Sequence, residues 1–161
     1  MDRPVRRPEE ILAFRSLRQI LGPRPKELWF VGVNESVMSA LRMMADKDIG
    51  CVLVMQGEAI AGIVSERDCA RRVVLAEKPA DTTRISEIMV RSVITADLSH
   101  TFADCLRLMH QHKIRHLPVV ENGRPITVIS IRDLLSEAVS HHAKIIGELE
   151  RERLTIFTSM A

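Results

Sequence analysis

Aromatic side chains are nearly missing from this 161-residue chain, which has no tyrosine, one tryptophan and four phenylalanines. That scarcity argues against a stacked platform for single-stranded nucleic acid. Cysteine is as sparse. Cys51, Cys69 and Cys105 are an odd number without Cys-x-x-Cys spacing, which speaks against a disulfide framework or a thiolate zinc set. Cys51 and Cys69 sit among apolar neighbours, as small core thiols do. No apolar run approaches the roughly 20 residues of a membrane span, and Met1 leads into charged residues instead of an apolar signal region. A chain of the reducing cytoplasm is expected, neither secreted nor inserted. Also missing are a P-loop, a nucleophile elbow and a Rossmann glycine fingerprint. A binding module is expected in preference to an enzyme, with a nucleotide hydrolase as the catalytic alternative.

Charge of one sign is in small excess, +2 overall, yet it is unevenly spread: Arg3, Arg6, Arg7, Arg15, Arg18, Arg24 and Lys26 crowd the first segment. A polyanion contact such as nucleic acid would use them, but phosphate-binding domains carry a larger basic excess, so a solvated arm and helix face is the favoured reading. The apolar share is 46%, enough for one core or for two half-domains that share one.

What is there is a duplication. Gly62-Ile63-Val64-Ser65-Glu66-Arg67-Asp68 returns 65 positions later as Thr127-Val128-Ile129-Ser130-Ile131-Arg132-Asp133. At the same shift Leu41, Arg42, Met44, Ile49 and Val54 fall on Leu106, Arg107, Met109, Ile114 and Val119 without a gap, so a whole supersecondary unit is repeated. Two units that cannot bury their own apolar faces would stack, and the seam between them would hold two related clefts.

The first unit spans 27–75 and the second 92–140, joined by a linker over 76–91, preceded by a basic arm over 1–26 and followed by an extension over 141–161. The spacing predicts an arm helix over 8–21, closed by Gly22-Pro23. In the first unit it predicts an extended run over 28–33, a helix capped by Asn34 or Ser36, a hairpin of strands 49–55 and 59–64 about Gln56-Gly57-Glu58, and a helix from Ser65 to Val74. In the second it predicts an extended run over 93–96, a helix over 102–109 opened near Ser99 and Thr101, and strands 117–120 and 125–130 about Asn122-Gly123. A final helix from Arg132 runs past His141 to about Arg153, and a short helix forms at Ile85, Ile88 and Met89 of the linker. Each unit reads β-α-β-β-α, with hairpin strands apolar at nearly every position, as strands covered on both faces are.

Ser-x-Arg-Asp stands where a strand ends and a helix begins in both units. Such a junction exposes backbone N–H groups and the positive helix end, which favour an anion such as phosphate. A carboxylate only accepts hydrogen bonds, and a vicinal diol offers two donors, so Asp68 and Asp133 suit a ribose. Ser65 and Ser130 add hydroxyls, and Arg67 and Arg132 present planar forks to phosphate. Helix capping by Ser and Asp alone would account for one such motif; two in the same context favour a ligand.

Gly62 to Asp68, Thr127 to Asp133 and Ile114-Arg115-His116-Leu117-Pro118-Val119-Val120 together resemble the CBS domain, a module found in tandem pairs, over about residues 27–140. Val64-Ser65-Glu66-Arg67-Asp68 with Ala70-Arg71 is also similar to stand-alone bacterial CBS-pair proteins of signal transduction. The resemblance implies an α/β (α+β) CBS pair with two motifs about a pseudo-two-fold axis. It further implies clefts binding AMP, ADP, ATP, NAD(H) or S-adenosylmethionine, a homodimer and an effector protein not named by the sequence, the alternative being a ligand-free scaffold for protein contacts. Carried over by position, Asp68 and Asp133 take ribose beside Ser65 and Ser130, and Arg67 and Arg132 face phosphate. Thr95, Arg115 and His116 then complete the cleft of Asp68, while Val31, Gly50 and Cys51 complete that of Asp133. Arg115 and His116 make the first cleft the stronger candidate for a polyphosphate tail. Thr127, where the family often has glycine, departs from the pattern at the second pocket.

His110, His112 and His116 do not share one helical face, and no cysteine lies near enough to complete a metal set. His141 and His142 diverge on a helix, and Met38, Met43, Met44 and Met109 suit core or dimer packing. No catalytic or metal site is expected.

Overall fold

The structure, a computed structural model, describes residues 10–23 and 27–159, with side chains as far as Arg151. Arg3, Arg6, Arg7, Arg24 and Lys26 of the basic segment, and the expected helix start at residue 8, lie outside the described residues.

Both units fold in the expected order. In the first, β1 (Phe30–Gly32) leads through α2 (Val37–Lys47) to the hairpin β2 (Cys51–Gln56) and β3 (Ala59–Ser65), and α3 (Glu66–Cys69) follows, continuing as a π-helical turn over Ala70–Val74. In the second, β4 (Ala96–Asp97), α5 (Phe102–His112), β5 (His116–Glu121), β6 (Arg124–Ser130) and α6 (Ile131–Ser159) repeat the series. Between them lies α4 (Ile85–Ile88), and before them a 3-10 turn (Leu12–Phe14) and α1 (Leu17–Leu21). Each sheet has three strands, the first parallel to the second and the second antiparallel to the third, in the orders β1-β2-β3 and β4-β5-β6. The fold is α+β.

The duplication reaches details that pattern alone leaves open. Register shifts fall at Val54/Met55 and at Val119/Val120, the same step of each hairpin. Asn122 and Gly123 take φ of 51° and 77°, as a type I′ turn requires, whereas in the first hairpin only Gly57, at 63°, has positive φ. Val52, Leu53 and Val54 are fully buried, as are Leu117 and Val119, because helices cover the sheets.

The expected helix over 8–21 is broken. Ser16 is extended and caps α1, accepting from the Gln19 N–H, while Gln19 accepts from the Ser16 N–H at 2.9 Å. The backbone on either side of Ser16 is spent on the second unit: Leu17 N–H donates to the His100 carbonyl (2.8 Å) and Phe102 N–H to that of Arg15 (2.9 Å). The apolar spacing was real but belonged to two short turns facing one core. The helix expected over 65–74 likewise changes pitch, as the Leu75 N–H reaches the Ala70 carbonyl.

The linker makes the same contacts on the first unit. Ile85 N–H donates to the Glu35 carbonyl (2.9 Å) and Val37 N–H to that of Thr83 (2.9 Å), and the isolated bridges Ser16↔Thr101 and Ser36↔Arg84 match. Leu17, fully buried, therefore belongs to the second core, and Ile85 and Ile88 belong to the first. Each unit is closed by the segment that precedes the other.

Contacts between units join like to like. The Glu58 carboxylate pairs with Arg124 at 3.0 Å, hairpin tip to hairpin tip, and Gly50 lies against His116, strand start to strand start. In both contacts a residue meets the one next to its own equivalent, as a near two-fold relation produces.

Candidate functional site

β3 and β6 each end in a serine whose extended backbone caps the next helix. Ser65 N–H donates to Asp68 Oδ2 (3.0 Å), the Ser65 hydroxyl donates to the same oxygen (2.6 Å), and Asp68 N–H donates back to Ser65 Oγ (3.3 Å). Ser130 and Asp133 repeat the three bonds at 2.7, 2.7 and 3.2 Å. The capping role weighed from the sequence is thus present at both junctions. It engages Oδ2, and among the described residues Asp68 Oδ1 makes no hydrogen bond, so the cap leaves that oxygen an acceptor.

Gly50 and Cys51 attach to the first junction. The Glu66 N–H donates to the Gly50 carbonyl (3.1 Å), and Cys51 pairs in register with Ser65. Burial, reinforced by the Asp68 carboxylate, pushes the Cys51 thiol up to about 12. Arg115 and His116 hold the corresponding places at the second junction, with Ile131 N–H donating to the Arg115 carbonyl (2.9 Å) and His116 opposite Ser130. Gly50 and Cys51 therefore sit beside Asp68 within their own motif. His116 spans the seam: a Cβ built on Gly50 would lie 3.2 Å from its Nε2 and 3.8 Å from Glu66 Oε2.

The remaining expected residues divide. Arg67, Arg115 and Arg132 are exposed and form no hydrogen bond or ion pair among the described residues. Thr95 is half-buried beside β4. Val31 is 1% exposed in the first core, so its side chain lines no cleft and only its main chain could meet a ligand. The sequence reading missed Phe30, 51% exposed on β1; the 65-position shift pairs it with Thr95, and that pairing was the available signal. Glu66, which joins Gly50 and His116 at the seam, was missed as well.

His116 is half-buried, and four charged groups act on it. Burial lowers its pKa below the usual histidine value, Arg115 and Arg67 lower it further, and Asp133 and Glu66 oppose them. Nothing here activates a nucleophile: Cys51 and Cys69, the latter raised by burial and Asp68 to about 11, stay protonated at neutral pH, and the serine hydroxyls point into carboxylates. Among the described residues no three metal-ligating side chains gather, and no helix is long and apolar enough to cross a membrane. Two surface hollows, of about 340 and 420 Å³, lie elsewhere, along the outer faces of α5 and α2. Some polar groups there are paired, Arg107 with Asp104 and Ser36 with Ser39, while Arg42 of the second hollow is exposed and forms no hydrogen bond or ion pair among the described residues. The junctions gather three such guanidiniums, of Arg67, Arg115 and Arg132, beside the capping carboxylates and are the better candidate.

Fold and junctions together define a duplicated module whose two like motifs meet at a seam. Its family follows from comparison: the CBS domain profile matches residues 19–75 and again 85–140, and the chain belongs to the CBS-domain family as a tandem pair. The solved structure of a proposed signal-transduction protein with CBS domains from Burkholderia ambifaria MC40-6 is 41% identical, covers 78% of this chain and 94% of that one, and superposes with a TM-score of 0.74. The CBS domain-containing protein YhcV of Bacillus subtilis is 25% identical over 70% of this chain and 80% of its own length. The Arabidopsis thaliana protein CBSCBSPB3 is 36% identical over 68% of this chain, and the chain spans only 20% of that longer protein.

Proposed function

We propose that the chain is a regulatory module that binds an adenosine ligand (AMP, ADP, ATP, NAD(H) or S-adenosylmethionine) at its Ser-x-Arg-Asp junctions, and passes the energy or redox state it reads to an effector protein as a cytoplasmic homodimer. The supporting observation is that Asp68 keeps one carboxylate oxygen outside its cap while unpaired Arg67, Arg115 and Arg132 stand beside the two junctions. A diol needs acceptors and a phosphate needs donors, and both lie there. Ligand shifts a conformational equilibrium only through unequal affinity for its states, and a seam between two motifs can supply that inequality. The buried, protonated thiols and carboxylate-bound serines support a binding role over hydrolysis.

The nucleic-acid alternative loses part of its motive. Arg15 pairs with Glu137 and Arg18 with Glu121 of the second unit, so two arm cations are already engaged. A gel shift at low salt that vanishes on deleting residues 1–26 would restore it.

The nucleotide reading is tested by thermal melts of wild type, Asp68→Ala and Asp133→Ala against AMP, ADP, ATP, NAD⁺, NADH and S-adenosylmethionine. At a hundred times its Kd a ligand adds about 2.7 kcal/mol per site, which raises Tm by several degrees. A shift lost in one variant assigns the junction; no shift with any ligand overturns the reading. Light scattering at micromolar concentration tests the dimer, which a monomer mass would exclude.

A further inference from the structure

His116 is the one ring that touches both motifs at the candidate site. It rises from the start of β5, its Nε2 faces the Cα hydrogen side of Gly50, and the Glu66 carboxylate borders the same spot. Only glycine leaves room there, because any Cβ at position 50 would crowd the ring at 3.2 Å. Position by position, the first motif has Cys51 where the second has His116, so the two junctions share a single titratable ring between them.

Two charges of each sign act on that ring. Glu66 on α3 and Asp133 on α6 favour the imidazolium; Arg67 on α3 and Arg115 before β5 disfavour it; burial then decides for the neutral form. A ring set among opposed charges responds to the next charge that arrives. Phosphate would bring two or more negative charges against Arg67 and Arg115, cancel the groups that oppose protonation, and offer the imidazolium an acceptor. A neutral nucleoside would do neither, and a sulfonium would oppose it.

Resting on the nucleotide reading above, we propose that His116 is a specificity-determining residue that selects phosphate-bearing ligands and does so by taking up a proton as they bind. Affinity for such a ligand then tightens as pH falls, while affinity for the bare nucleoside stays level. The device makes one ligand's signal depend on a second, the proton, at the same place.

The test measures Kd for ATP and for adenosine between pH 5.5 and 8 by isothermal titration calorimetry, in wild type and His116→Gln. In wild type the ring should improve the ATP Kd by up to about tenfold per pH unit between its free and bound titration points, so the wild-type slope should exceed that of His116→Gln by that amount. The terminal phosphate of ATP titrates near pH 6 in both proteins and cancels in the comparison. An equal slope in wild type and His116→Gln overturns proton coupling and leaves nucleotide binding standing. Absence of ATP and adenosine binding at every pH in wild type overturns both. Should His116→Gln not fold, the ring is followed by NMR in wild type: ATP should move its titration upward, and an unmoved titration overturns the proposal.

Discussion

Gly62 and Thr127 hold one place in the two motifs, and different forces act on each. A Cβ at Gly62 would stand 2.8 Å from Met89 Sδ and 2.9 Å from the Val90 carbonyl, because the linker strand pairs with Ile63 directly beside it. Gly62→Ala should cost about 1–3 kcal/mol by overpacking, read as a lower midpoint in urea. An unchanged midpoint would mean that the linker yields without loss. Thr127 is fully buried with Ile129 in the second half of the molecule, and its hydroxyl finds no partner among the described residues. The sequence marked Thr127 as a departure at a pocket, but the structure turns it inward, where it alters packing and not a cleft. Period-two patterning assigns faces of a strand; it does not say which face another segment will cover.

At the scale of elements, the first helix of each motif ends alike. α2 closes on Asp48 and α5 on Lys113, with φ of 51° and 54°, left-handed positions that side chains occupy at a cost. Asp48→Gly and Lys113→Gly should each stabilise by about 0.5–1 kcal/mol, since glycine reaches that conformation without a Cβ clash. A loss of thermal stability in both would show that unfolded-state entropy outweighs the strain. Element types and order were legible because apolar spacing switches cleanly between strand and helix, and because an ungapped repeat let each motif check the other. The partners of α1 and α4 were not legible. Leu17-Arg18-Gln19-Ile20-Leu21 and Ile85-Ser86-Glu87-Ile88-Met89 are related by 68 positions, not 65, and the three extra residues before β1 hide the kinship from an ungapped comparison. The junctions themselves were legible, since Ser-x-Arg-Asp is local and repeated. Division of Gly50, Cys51 and His116 between them depended on packing across the seam, which no local pattern records.

For the whole molecule the consequence is interdependence. The first core is closed by α4, which precedes the second motif, and the second core by α1, which precedes the first. Unfolding either motif strips an element from the other, so the two should melt together although each has its own sheet. Trp29, the chain's single tryptophan, reports on this because it packs against the first core with the Lys47 ammonium 4.1 Å from its ring centre. Leu17→Ala removes a fully buried side chain from the second core and should cost about 2–5 kcal/mol. Under interdependence the loss appears in full at the far motif: the Trp29 fluorescence midpoint in urea falls together with the circular-dichroism midpoint, in one transition. If Trp29 holds its wild-type midpoint while circular dichroism splits in two, the motifs are separate folding units, and the crossed segments serve only to join them. A single transition would also bear on signalling, because a ligand that tightens one junction in such a molecule stabilises the packing of both.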